Sequence, residues 1–190
     1  MTFRYIPNLI SLLRILMVAP TIYCLLKGRY DVALILFAIA GISDGVDGYL
    51  ARHYQWQSAT GAVLDPLGDK LLMVSCYLVL GAQQILPIWL VIAVIARDII
   101  IMSGVVFYHL YIEDIRMAPS WISKLNTALQ VLLVVIVLYS LTQWPLASLL
   151  SNMIVTVFMS LVLITTVWSG ADYCLVWGRK AWQIHREKQA

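Results

Sequence analysis

Residues 44–70 read DGVDGYLARHYQWQSATGAVLDPLGDK and hold four of the chain's ten acidic residues. Asp44 and Asp47 stand three apart, and Asp65 and Asp69 four apart. On a helix, either spacing sets two carboxylates on one face, one turn from each other. Both pairs lie at the rim of long apolar runs, where an unpaired charge is costly. Four carboxylates gathered in so poor a solvent repel one another, and something cationic has to hold them together. The donor set is all oxygen, with no Cys or His at metal-ligand spacing. It suits Mg²⁺, Mn²⁺ or Ca²⁺ and not zinc.

Small residues accompany the acids. Gly48 follows Asp44 by four, Ala51 follows Asp47 by four, and Gly61 precedes Asp65 by four. They leave room for a bulky ligand against the backbone. Arg52, four after Gly48, is a planar fork suited to phosphate. Acids for metal, a small-residue floor and a phosphate fork together suggest a nucleotide diphosphate. Each piece alone has a plainer reading. An Asp ahead of a helix usually caps it, and Asp65-Pro66 would suit a helix start with Pro in the first turn.

The rest of the chain is mostly hydrocarbon. Of 190 residues, 62% are hydrophobic and 12% charged, a composition too apolar for a soluble domain and sufficient for one membrane bundle, 1–190, without a second domain. The net charge of +3 is modest, and no basic stripe interleaves with aromatics, so nothing points to nucleic acid. Cys24, Cys76 and Cys174 are far apart in apolar runs and read as small core or lipid-facing residues. Arg14 interrupts the first apolar run and no convincing cleavage site follows, so that run reads as a retained span and not a signal peptide. The lack of an Arg/Ser-rich transit segment favours a bacterial source.

Apolar runs at 10–26, 32–49, 66–82, 87–111, 122–141 and 146–167 each approach the roughly twenty residues that a bilayer requires. The expected fold is therefore all-α and integral to the membrane, with six transmembrane helices in one bundle. An even number of spans puts both termini on one side, together with the 52–60 and 113–120 loops. That side carries Arg4, Arg52, Lys70, Arg116, Lys124, Arg179, Lys180, Arg186 and Lys188, against Lys27 and Arg29 opposite. By the positive-inside rule the termini and the acidic motif are cytoplasmic. Trp56, Trp89, Trp121, Trp144 and Trp177 near span ends read as interfacial anchors.

Four further charges fall within or beside spans: Arg14, Arg97, Asp98 and Lys124. Arg97 and Asp98 are neighbours pointing about 100° apart on a helix, so each is expected to seek partners beyond the other. Their plainer role is a salt bridge inside the bundle. The functional one is a basic pocket for the phosphate of an acceptor or lipid headgroup. His109 reads as an interfacial side chain, and Asp172 as solvated or paired with Arg179 or Lys180.

The pattern Asp44-x2-Asp47-Gly48-x2-Ala51-Arg52-x8-Gly61-x3-Asp65-x3-Asp69 resembles the full signature of the CDP-alcohol phosphotransferases. Eight fixed residues at fixed gaps make that resemblance specific. Pro7-Asn8 through Arg14 resembles the family's N-terminal segment beside the active site, with Ser11 where Thr is more usual. Asp65-Pro66-Leu67-Gly68-Asp69-Lys70 resembles the branch that makes phosphatidylglycerol phosphate and cardiolipin. Within it, Ala96-Arg97-Asp98 and Ser123-Lys124-Leu125-Asn126-Thr127 are similar to the CMP-forming cardiolipin synthases, whose sister enzymes more often carry Lys at the Asn126 position.

The resemblance implies CDP-diacylglycerol as donor, with Asn8, Gly48, Ala51, Arg52 and Gly61 holding it. It implies two divalent cations, Mg²⁺ or Mn²⁺, on Asp44, Asp47, Asp65 and Asp69, with Asp69 also the base for the acceptor's hydroxyl. Arg14, Arg97 and Lys124 would face the acceptor or its phosphate. The favoured acceptor is phosphatidylglycerol, with glycerol 3-phosphate as the alternative. A homodimer is expected by the same analogy, whereas the loop charges put its active site on the cytoplasmic side and the lack of a transit segment favours a bacterial cell membrane. A cation transporter also places carboxylates in a membrane, but it commonly shows inverted repeats and midplane sites that this chain lacks.

Overall fold

The computed structural model describes residues 6–53, 61–111, 120–145, 147, 150 and 152–187, with side chains at 12–46, 68, 70–104, 120–145, 147, 150, 152–173 and 175. These residues form six helices and, among them, no strand: α1 (Ile6–Leu26), α2 (Tyr30–His53), α3 (Gly61–Ala82), α4 (Ile88–Tyr111), α5 (Trp121–Ser140) and α6 (Asn152–Glu187). Helices number as the hydropathy pattern predicts, but their ends differ. α2 runs four residues past the apolar stretch, and α3 begins at Gly61, a full turn before Asp65. α6 starts at Asn152 instead of 146 and continues through the basic tail for 36 residues. Hydropathy marks where a helix meets hydrocarbon, whereas hydrogen bonding carries the helix on into polar sequence.

The segments Trp121–Ser140 and Asn152–Tyr173 are long and apolar enough to cross a membrane, and Leu12–Leu26 and Lys70–Ala82 are shorter apolar stretches. The helices are arranged for an apolar solvent. Leu16, Ile42, Ile92, Ile99, Val167 and Leu175 point outward, while Arg14, Arg97, Asp98, Asn126, Gln130 and Ser169 are buried. An aqueous protein does not expose hydrocarbon on this scale. Hydroxyls of Thr21, Thr127, Thr156 and Ser160 donate to the carbonyl four residues back in their own helices, so none of these donors faces lipid unpaired. Thr21 does so immediately after Pro20, the proline inside α1. Trp89, Trp121 and Trp144 are exposed near helix ends. Cys24 and Cys76 are buried free thiols.

The chain divides into two compact units: Met1–Leu86 with Val134–Ser151, and Pro87–Leu133 with Asn152–Ala190. In the first unit α1 packs on both α2 and α3, which touch each other far less. The α1–α2 turn closes as a Schellman motif: Arg29 N–H donates to Cys24 O (2.9 Å), Gly28 N–H to Leu25 O (3.0 Å), and Gly28 takes φ +68°. The α3 end repeats it, with Ile85 N–H on Leu80 O and Gln84 in the left-handed region at φ 60°. Gln83 Nε2 then donates to Leu25 O (2.8 Å), satisfying a carbonyl in the last turn of α1 and aligning the C-terminal ends of α1 and α3.

The α1–α2 interface follows from that turn. α1 buries Arg14, Val18, Thr21 and Leu25, at steps of four, three and four. α2 buries Ala33, Phe37 and Ala40 at matching steps, and the next step is Asp44. Two antiparallel stripes therefore leave the turn in step. The two alanines on α2 let backbones approach closely.

In the second unit α4 and α6 run parallel. Arg97 meets Ser169 and Ile101 meets Tyr173, with the same offset of 72 residues. The Tyr173 hydroxyl donates to Ile101 O (3.0 Å), and a Cβ at Gly104 would stand 2.6 Å from that hydroxyl oxygen. Gly104→Ala is expected to displace the ring and cost about 1–3 kcal/mol. A thermal melt in detergent measures it, and the loss should be smaller when made in Tyr173→Phe.

Candidate active site

The four acids are not helix caps. Asp44 and Asp47 are residues 15 and 18 of α2, and Asp65 and Asp69 are residues 5 and 9 of α3. The plainer reading of Asp65-Pro66 as a helix start is thereby replaced, because the helix is already a turn old at Asp65. Gly61 and Asp65, and Asp44 and Gly48, keep the one-turn spacing on continuous helix that the sequence suggests. Asp44 lies fourteen residues beyond Tyr30, and Asp69 fourteen before Gln83. At about 1.5 Å per residue, both backbones stand about 21 Å along their helices from the turn end of this unit.

Arg14 stands near that level on α1. It is 1% exposed, and its Nη1 contacts Asp44 Oδ1 at 2.6 Å. A charge-assisted contact of this length accounts for an arginine on a buried stripe. The Asp44 side chain remains 40% exposed, so part of the carboxylate faces open space and keeps acceptor capacity. An oxygen donor of this kind, partly neutralised and still accessible, fits a hard divalent cation. The side chains of Asn8, Asp47, Gly48, Ala51, Arg52, Gly61, Asp65 and Asp69 lie outside the described residues, and among the described residues no group of three potential metal ligands gathers. The 113–119 stretch, and the side chains of His109 and of Arg179 and Lys180, the expected partners of Asp172, also lie outside them.

In the second unit, Arg97 is 5% exposed and its guanidinium is occupied internally. Nη1 contacts Asp98 Oδ1 at 2.7 Å. Nη2 donates to Ser169 Oγ (2.7 Å) and to Ser123 Oγ, and Nε donates to Ser169 Oγ (3.2 Å). One residue thus joins α4, α5 and α6. Sequence neighbours do pair here, although a helix splays them, because the arginine arm is long enough to turn back. As the 100° angle implied, the pair does not stand alone.

Three residues farther along α5, Asn126 is fully buried, and its Oδ1 accepts from Thr165 and Thr166, both at 2.9 Å. Hydroxyl-bearing residues at helical spacing in the apolar α6 (Thr165, Thr166, Ser169) were the sequence signal for this polar seam, and a search for charge alone passes over them. Lys124 is exposed and lines a shallow groove of about 460 Å³ with Ser123, Thr127, Ala128 and Val131. Of the three cations expected to face an acceptor, Arg14 and Arg97 are buried and ion-paired, and Lys124 lies at an open surface.

Residues 4–168 match the family model described as CDP-alcohol phosphatidyltransferase. The chain belongs to this family. The chain is similar to the CMP-forming cardiolipin synthase of Rattus norvegicus, 37% identical over 146 residues, covering 68% of this chain and 48% of the rat protein. A cardiolipin synthase (CMP-forming) / mitochondrial hydrolase fusion protein of Schizosaccharomyces pombe is 31% identical over 90% of this chain and 30% of its own length. The CMP-forming cardiolipin synthase of Streptomyces coelicolor is 33% identical over 56% of this chain and 53% of its own. The chain spans about half the length of the rat and human relatives that it matches. The family is membrane-associated and uses divalent cations, a CDP-activated donor and an alcohol acceptor.

Proposed function

We propose that the transferase moves the phosphatidyl group of CDP-diacylglycerol onto phosphatidylglycerol, forming cardiolipin and releasing CMP. The observation that carries the reading is the position of all four acids in helix interiors, with Asp44 at the end of the buried α2 stripe, ion-paired and still accessible. Helical periodicity extends the α2 stripe from Asp44 to Asp47, and the α3 stripe back from Leu72 to Asp69 and Asp65. Such acids have no capping role and need a cation. The acceptor rests on the names of the relatives and on Asn126, which fills a fully buried position where a lysine would bring a charge.

In this reading Asp44, Asp47, Asp65 and Asp69 hold two divalent cations, which when bound neutralise the diphosphate and stabilise the leaving CMP. Gly48, Ala51 and Gly61 give the nucleotide room, Asn8 borders it, and Arg52 binds a phosphate oxygen. Asp69 accepts the proton of the acceptor hydroxyl as its oxygen bonds to the lipid-bearing phosphorus. The anhydride P–O bond breaks, and the electron pair leaves on CMP. Lys124 attracts the acceptor's headgroup phosphate. Six spans, a homodimer and a cytoplasmic site in a bacterial cell membrane complete the proposal, the orientation following from the loop charges.

The test uses the full chain in detergent with CDP-diacylglycerol, offered phosphatidylglycerol, glycerol 3-phosphate or no acceptor, with Mg²⁺, Mn²⁺ or chelator. The expected outcome is metal-dependent CMP release and cardiolipin with phosphatidylglycerol alone. CMP with glycerol 3-phosphate alone would reassign the acceptor, and none with either would refute the transfer.

A further inference from the structure

Asp44, at the end of the buried stripe of α2, needs a neutralising charge even when no divalent cation is bound. We propose that Arg14 is the resident counter-ion of the acidic site, competing with the divalent cation for Asp44 and keeping metal binding weak until a diphosphate brings its own negative charge. The proposal rests on the reading of Asp44 as a metal ligand.

Three observations carry it. Arg14 is 1% exposed and continues the buried stripe of Val18, Thr21 and Leu25, so its cation is built into the helix interface and does not reach in from solvent. Its Nη1 lies 2.6 Å from Asp44 Oδ1, at the step where the α2 stripe changes from alanine and phenylalanine to acid. The carboxylate is nonetheless 40% exposed, so a second cation can reach it while Arg14 stays in place.

A buried cation beside a ligand can act in two opposite ways. It can orient the carboxylate, in which case its removal weakens metal binding by about ten- to a hundredfold. It can also repel the metal. Two like unit charges about 4 Å apart, at an effective dielectric of 20, oppose each other by about a thousandfold in binding constant, and a divalent ion feels more. Repulsion is the larger effect, so Arg14 is a brake on the metal more than a brace for its ligand. A diphosphate reverses the balance by adding negative charge on the other side of the cations, which makes metal and CDP-lipid bind together and not in sequence.

Mn²⁺ binding to the full chain in dodecylmaltoside, followed by electron paramagnetic resonance, tests this, with melting temperature recorded with and without Mn²⁺. Arg14→Gln is expected to bind Mn²⁺ at least tenfold more tightly than the wild type. Its metal-free form should melt lower, and its stabilisation by Mn²⁺ should be larger. Arg14→Lys, which keeps the charge and loses the fork, should bind Mn²⁺ close to wild-type strength. Weaker or unchanged Mn²⁺ binding in Arg14→Gln, or a melting loss of equal size with and without Mn²⁺, would overturn the proposal and leave Arg14 an orienting or purely structural residue. A wild-type chain that binds no Mn²⁺ would instead remove the metal reading itself.

Discussion

Asp69→Asn is expected to lower CMP release by about 10²–10⁴-fold while leaving most CDP-diacylglycerol binding intact, because the amide cannot take the acceptor's proton. An alcohol is a poor nucleophile at neutral pH and needs a positioned base as its oxygen approaches phosphorus. The asparagine keeps one oxygen donor and the size of the side chain, so loss of turnover reports on the proton and not on packing. Turnover should be followed by CMP release, and donor binding by CDP-diacylglycerol-dependent stabilisation of the variant. Near-normal turnover would show that another group is the base. Loss of both turnover and donor binding would make Asp69 chiefly a ligand.

The second large effect concerns stability. Arg97→Met is expected to destabilise the protein by about 3–5 kcal/mol, since it strips the buried Asp98 of its paired cation and leaves the Ser123 and Ser169 hydroxyls to find new partners. In a chain of this length such a loss should lower the apparent melting temperature by roughly 6 °C or more. Replacing both charges, as Arg97→Met with Asp98→Leu, should recover a large part of that loss, because the costly element in the single variant is a buried carboxylate that has lost its arginine. If Arg97→Met melts like the wild type but fails to use its acceptor, the guanidinium serves the substrate and not the junction of three helices.

The number of helices was legible from apolar runs, because each needs roughly the length of a bilayer. The ends of α2, α3 and α6 were not. Leu50 to His53, Gly61 to Asp65 and the charged stretch from Gly178 to Glu187 continue helices beyond the expected spans: Arg52, His53 and the tail are polar, whereas Ala62, Val63 and Leu64 are apolar but precede Asp65-Pro66, which reads as a helix start. The Arg14–Asp44 pair was within reach of the sequence: counting back from Leu25 on α1 and forward from Ala33 on α2, in steps of four, three and four, brings the two residues opposite each other. The Arg97 junction was not, since Ser123 and Ser169 come from 26 and 72 residues away, and the helical spacing that sets Thr165, Thr166 and Ser169 on one face does not say which residues they meet. Asn126 was legible as a departure from sister sequences, but its bonds to Thr165 and Thr166 were not.

The matched stripes that leave Gly28 have a consequence for the length of the chain. Each residue between the hinge and Asp44 acts as a tooth in a gear. Deleting a single one would turn the acid by about 100° around α2 and draw it about 1.5 Å toward the hinge. The carboxylate would then look away from α1, even though every functional side chain remained. Natural length variation should therefore gather in the connectors and beyond α6, and between Tyr30 and Asp44 the tolerated change is one of identity, never of count.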